Sequence, residues 1–522
     1  MIPNLAHNAT SERLRLLSSH LLDLAKREEL YVAGGAIRDI LLSRPFHDLD
    51  LVLPSGAASC ARHYADLCNG TLVMLHEQED VARVVTHEGV VLDFSAFRGR
   101  AESIEQDLFM RDFTINAMAV PLYSLGDLLS DLFFLMVLGD GLAPDDLQKI
   151  RRNITEAVVQ NILDPVGGMD HISAGMISMV SPENMESDPL RMVRAFRFRS
   201  ELGFSIEDAT LRLVETCSNL IIRSAPERIS HELNLMFAAP LSGRALRDMY
   251  DVGLLQVIIP EINELEGVDQ PGFHHLDVLN HCLEAVNCMD RLCMDPGIRF
   301  HHPDPLVNWL SSHRDSIHFL KWAALFHDFG KPRKKAVRDD GRVTFYQHDS
   351  ESSDLVKETG RRLKWSRRQI EQVSLLVRLH MRPFHLLGDF VRSRLTKRAI
   401  RRLLRDVGED YPALFLLAMA DSMAGAGPLK PADLDDHLSN LFSRIHSFYM
   451  DNVKPVKEAP RLITGRDVMD LTGISPGPVV GKILDAVEAA RIEGEISSRE
   501  QALAMAAELA SDPAMLQDRE EE

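Results

Sequence analysis

The chain has 522 residues, 45% of them hydrophobic, and a net charge of −19. That length predicts several domains with ample apolar material for buried cores, and the charge excludes a uniformly basic nucleic-acid coat, so any RNA must meet local patches. Six cysteines without a C-x-x-C pair exclude a compact disulfide framework, and no apolar run reaches the length of a membrane span; both predict a cytoplasmic protein with no membrane partner.

Residues 11–29 carry leucines at 14, 16, 17, 21, 22 and 24, which predicts an amphipathic helix packed on the domain that follows. Next comes YVAGGAIRDILLSRPFHDLDLVLP, Tyr31 to Pro54. It reads as a short strand, a Gly34-Gly35 turn, a helix opening at Ala36, and a second strand carrying Asp48 and Asp50. Side chains two apart on a strand share a face, so both carboxylates project together while Leu49, Leu51 and Leu53 pack behind. Two adjacent carboxylates repel unless a cation joins them, and Mg²⁺ is the hard ion that carboxylates and phosphates share. A glycine turn with bare N–H groups at a helix start suits a triphosphate. Together these features predict metal-dependent nucleotidyl transfer.

Val81 to Gly99 contains two apolar runs around His87-Glu88-Gly89, a hairpin pattern. Asp93 interrupts the second run, and a charge inside an apolar strand needs a partner, which predicts a third metal-facing carboxylate. With GGAIRD and DLD, the segments MRDFTINAMA, LDPVGGMD, DPLRMVRAFRF and PERISHEL follow in the order found in bacterial-type, class II tRNA nucleotidyltransferases and poly(A) polymerases, and this half of the chain resembles that family. The resemblance implies an α+β fold: a polymerase-beta-like nucleotidyltransferase head with a mixed sheet, then all-α domains. It implies tRNA, CTP and ATP as partners. Asp48, Asp50 and Asp93 would be catalytic, with Gly34, Gly35 and Arg38 at the triphosphate and Arg111 and Asp112 at the ribose. The short connection between Arg98 and Asp107 resembles CC-adding rather than CCA-adding members.

Residues 121–162 lengthen the stretch between two family motifs and predict a helical insertion, read as a packed surface elaboration in preference to a partner or tRNA contact. Asp164 to Asp170 reads as a turn-rich hinge. From Asp188 to Leu202 the spacing predicts a helix with Asp188 at its N-cap. Asp188 and Arg191 share a face, either as an ion pair or, as the resemblance implies, as a protein template for the edge of the incoming base. Arg194 and Arg197 continue the strip toward triphosphate or RNA backbone. Glu227 and Arg228 either support this pair or form a helix-start salt bridge. Ser187 and Met110 stand where the family has Glu and Arg.

Beyond a boundary expected at Gln270-Pro271-Gly272, the order His281, His327-Asp328, Asp421 resembles the HD phosphohydrolase superfamily, and His348 and His380 match the additional ligands of its two-metal members. These six residues predict a second divalent-metal site. Arg392 to Arg405 concentrates positive charge, with Arg394, Arg398, Arg401 and Arg402 expected to meet tRNA phosphates. Pro476-Gly477-Pro478 opens a further helix, and the tail after Ser511 reads as acidic and disordered. The predicted division is 1–170 for the head, 171–268 for a helical neck, 269–455 for the HD domain and 456–522 for C-terminal RNA-binding helices. The reading is tRNA 3′-end nucleotidyl transfer, with poly(A) addition, or an HD phosphohydrolase carrying a non-catalytic head, as alternatives.

Overall fold

The computed structural model describes residues 3–139, 143–270 and 272–511. Pro271 of the expected boundary and the tail from 512 lie outside the described residues. The chain divides into two compact units, one of 1–232 with 248–258 and one of 233–247 with 259–522.

The first unit is built on a six-stranded mixed sheet, β1 Tyr31–Ala33, β2 Leu49–Leu53, β3 Thr71–His76, β4 Val81–Val85, β5 Val91–Ala96 and β6 Ala119–Pro121, in the order β3-β4-β5-β2-β1-β6. β2 and β5 run parallel while the remaining pairs are antiparallel. Strand alternation divides the residues between two faces. Leu49, Leu51 and Leu53 join Leu92 and Phe94 in a core with Leu14, Leu17, Leu21 and Leu24 of the N-terminal helix Pro3–Ala25. Leu16, expected on that face, is exposed instead. Ala33 and Val52 face the other way and pack with Leu108 and Ala119. Asp50 lies between Leu49 and Leu51 on β2, so it shares the second face.

The insertion is helical, as expected: Leu128–Leu138 and Pro144–Asn161 bury Leu129, Leu132, Phe133, Ile154 and Val158 in the same core as the sheet, which is the packed elaboration. The 164–170 segment turns into the helix Gly168–Ala174. The Asp164 carboxylate accepts from the Gly168 and Met169 N–H groups, and Leu163 pairs with Ala119 as an isolated bridge.

The second unit is helical. The helix Tyr411–Ala424 is buried along almost its whole length, and the helices Val278–Met294 and Ile317–Phe326 belong to the same unit. A separate small core ties the C-terminal helices Gly465–Thr472, Pro478–Glu493 and Arg499–Ala510 through Val468, Ile483, Val487 and Ala502. Among the described residues no helix is long and apolar enough to cross a membrane.

Candidate functional site

In the first unit the strand registers bring charged residues into one row. Ala33 on β1 faces Asp50 on β2, Asp50 faces Asp93 on β5, and Asp93 faces Arg83 on β4. Asp48 sits just ahead of β2 and is exposed. Gly34 ends β1 with φ 80, a left-handed value that glycine adopts freely. A Cβ there would lie 2.8 Å from Arg111 Nη1 and 2.9 Å from Asp50 Oδ2, so the close approach of these groups requires glycine. Burial, with Asp48 and Asp93 adding to it against the pull of Arg111, pushes the Asp50 carboxyl up to about 6.

This row opens into a cavity of about 810 Å³. Gly34, Gly35, Arg38, Asp48 and Asp50 line it from the sheet side, and Arg111, Asp112, Asp188, Arg191, Arg194 and Arg197 complete the expected set. Asp93 is withdrawn: both its oxygens accept from Arg83, Nε and Nη2 each at 2.7 Å. The cavity wall is tightly cross-linked. Arg111 donates to Asp107 at 3.1 and 3.2 Å and to the Asn116 carbonyl. Asp112 accepts from Arg194 at 2.7 and 2.9 Å, from Asn116 and from the Phe113 N–H. Burial alone would raise the Asp112 carboxyl, but these donors hold it well below the usual carboxylate range. Arg38 is pinned by Asp39 and by Asn116 Oδ1.

Three expectations change here. Asp188 does not cap its helix: Pro182–Ser187 ends at Asp188, and Leu190–Leu202 begins after Pro189 with no side-chain cap. Asp188 and Arg191 are not paired with each other, since Asp188 binds Arg228 at 3.1 Å and Arg191 donates to the Arg111 carbonyl at 3.3 Å. Arg194 and Arg197 are committed within the wall, both to Glu232 and both over the Phe198 ring. Glu232, Asp107, Asn116, Phe198 and Arg83 were not singled out by the sequence. Asp107, four residues before Arg111, Asn116, four after Asp112, and Phe198, four after Arg194, carried a local signal, whereas Glu232 and Arg83 find their partners farther along the chain.

In the second unit His281 sits near the start of Val278–Met294, His327 and Asp328 follow the end of Ile317–Phe326, and His348 opens His348–Arg362. His380 ends Arg367–Leu379, and Asp421 lies near the end of Tyr411–Ala424. All six are buried and converge. His281 Nε2 is 3.1 Å from His327 Nε2 and 3.0 Å from Asp421 Oδ1. His348 Nε2 lies 3.2 Å from His380 Nε2. Asp328 is shared, with Oδ2 3.2 Å from His327 and Oδ1 3.2 Å from His348. The Nδ1 atoms of His327, His348 and His380 lie 2.7–2.8 Å from backbone carbonyls, which places the protons there and leaves Nε2 lone pairs facing inward. Gly330 permits this: a Cβ would meet the His348 carbonyl at 2.3 Å. Three donor sets result, His274 with His281 and Asp421, His281 with His327 and Asp328, and Asp328 with His348 and His380, each within 4.8 Å and able to hold a metal ion. His274 had no sequence signal of its own beside His275.

Of the C-terminal arginines, Arg394, Arg398 and Arg402 are exposed. Arg401 is not available as expected: its Nε donates to Glu493 at 2.5 Å, fastening the helix Lys397–Val407 to Pro478–Glu493.

Comparison with known proteins gives four family matches: a Poly A polymerase head domain over residues 30–133, a probable RNA- and SrmB-binding site of polymerase A over 203–265, an HD domain over 278–422, and a putative tRNA nucleotidyltransferase domain 2 over 438–507. The chain is 31% identical to the A-adding tRNA nucleotidyltransferase of Deinococcus radiodurans across 91% of this chain and 94% of that protein. It is 28% identical to the CC-adding tRNA nucleotidyltransferase of Thermus thermophilus across 91% and 93%. A solved CCA-adding enzyme in complex with CTP shares its fold, with TM-score 0.59 and 18% identity over 96% of this chain and 95% of that one.

Proposed function

This chain belongs to the bacterial-type tRNA nucleotidyltransferase and poly(A) polymerase family, and on that premise we propose that it extends the 3′ end of tRNA with CMP, AMP or both, taken from CTP and ATP without a nucleic-acid template. The observation that carries the reading is one cavity lined by Asp48, Asp50 and Gly34 together with Asp188 and Arg191, which are not paired with each other. Transfer of this kind depends on divalent metal. The donor set fits it, since Asp50 is pushed up to about 6 by burial and by neighbouring Asp48 and Asp93, a charge excess that a cation relieves. Oxygen-only donors favour Mg²⁺, with Asp48 and Asp50 as ligands and Asp93 a third one once it is released from Arg83. When bound, the metal makes the RNA 3′-hydroxyl more acidic and stabilises the departing pyrophosphate.

The protein's own work is placement. Gly34 and Gly35 leave backbone open to the triphosphate, and Arg38, pinned by Asp39 and Asn116, fixes positive charge beside it. Arg111 and Asp112, buried and fully paired, frame the ribose. Asp188 and Arg191 keep donors and acceptors for the Watson-Crick edge of the base, and Arg194 and Arg197 hold that helix in place through Glu232. The division into head, neck, HD and C-terminal segments at 170, 268 and 455 belongs to the same assignment.

The test uses tRNAs ending at the discriminator base, at C and at CC, each with CTP and ATP separately. Asp48→Ala with Asp50→Ala is expected to abolish incorporation on all three; unchanged incorporation removes the reading. The pattern on the parent chain separates CCA, CC-only and A-only addition from open-ended tailing.

A second activity is favoured by the sharing of Asp328 between two histidine sets. With His281, His327, His348, His380 and Asp421 it forms a divalent-metal site suited to phosphoester hydrolysis, including 2′,3′-cyclic ends of RNA. His327→Ala with Asp328→Ala is expected to remove hydrolysis of 2′,3′-cyclic AMP while CMP or AMP incorporation continues.

A further inference from the structure

Arg83 has no part in the assignment above, yet it stands against the acidic row. It faces Asp93 across the β4–β5 pair and grips both carboxylate oxygens at 2.7 Å. Its Nη2 also lies 3.6 Å from Asp48 Oδ2. Asp93 in turn sits opposite Asp50. A guanidinium fork therefore occupies the oxygens that a cation shared between Asp50 and Asp93 would use. Both cannot hold the same lone pairs at full strength.

We propose that Arg83 is a positioning residue of the transfer site, holding Asp93 in competition with a divalent ion and so setting how much metal the head requires. The proposal rests on the metal-dependent reading of the head. It explains why Asp93 is drawn out of the cavity while Asp48 and Asp50 line it. Once an ion takes Asp93, the guanidinium remains within reach of Asp48, which keeps its positive charge beside the site.

The test is Mn²⁺ binding to the nucleotide-free full chain, read by electron paramagnetic resonance of the free ion. Head sites are those lost in Asp48→Asn with Asp50→Asn, which separates them from ions in the HD cluster. Arg83→Gln is expected to tighten head binding on the order of three- to tenfold, since a half-exposed charge at this range is partly screened. Arg83→Lys, which keeps the charge but not the fork, is expected to fall between the two. In an Asp93→Asn background the Arg83→Gln effect is expected to shrink toward nothing. Head affinity that is unchanged or weaker in both Arg83 variants overturns the proposal. Loss of no Mn²⁺ on changing Asp48 and Asp50 overturns instead the metal reading on which it stands.

Discussion

Asp50 is a carboxylate kept at a thermodynamic disadvantage. Its folded pKa of about 6 lies above the ordinary 3.8, so the folded chain binds the proton more tightly than the unfolded one. The ionised form therefore costs stability above pH about 6, on the order of 2–3 kcal/mol, and the cost disappears as pH falls toward the ordinary value. Asp50→Asn is expected to raise the melting temperature of metal-free protein at mildly alkaline pH, with the gain fading through that window; a calorimetric series against pH checks it. Asp112 has the opposite setting. Arg194 and Asn116 hold its carboxylate charged, so Asp112→Asn should destabilise the fold near neutrality. Two acids in one cavity are thus tuned in opposite directions, one left to the proposed metal ion and the other relieved by a cation of the chain itself.

At the scale of elements, the helix Lys397–Val407 shows two faces with different duties. Arg398 and Arg402 are open to solvent, whereas Arg401 fastens the helix to Glu493. Arg398→Ala with Arg402→Ala is expected to weaken tRNA binding and lower its salt slope by about 2, close to one unit per lost phosphate contact. Arg401→Ala is expected to loosen the C-terminal helices with a smaller change in that slope; filter binding across a salt series distinguishes them. The elements were legible where their signals are local. The Gly34-Gly35 turn, the alternation around Asp48 and Asp50, and the hairpin around His87-Glu88-Gly89 all follow from neighbours in the chain. Asp188 reads as an N-cap because an Asp followed by Pro fits a helix start, while in the structure Asp188 ends one helix and the next begins after Pro189. Glu232 acquires its role only after distant helices have packed, and nothing beside it announces it. The four histidines of the HD cluster were visible because type and order suffice for a metal set. His274 lacked such a pattern and joins through the fold around Gly427, whose N–H donates to the Phe273 carbonyl.

Across the whole molecule, charge and folding are handled region by region. Against a net charge of −19, the arginines of the cavity wall and the exposed arginines of Lys397–Val407 form local basic patches that can attract phosphate. Each unit has a core of its own, and the proposed HD ion would stabilise only the unit that binds it. Chelation with EDTA is therefore expected to lower the unfolding temperature of one calorimetric transition more than the other, and His327→Ala to abolish that sensitivity.

The row from Ala33 through Asp50 and Asp93 to Arg83 is set by strand pairing. If β5 slid past β2 by a single residue, Leu92 and Phe94 would be turned out of the core as Asp93 turned inward. The grease behind the sheet thus polices the acids in front of it. The register that buries Leu92 and Phe94 is therefore the same one that sets Asp93 beside Asp50.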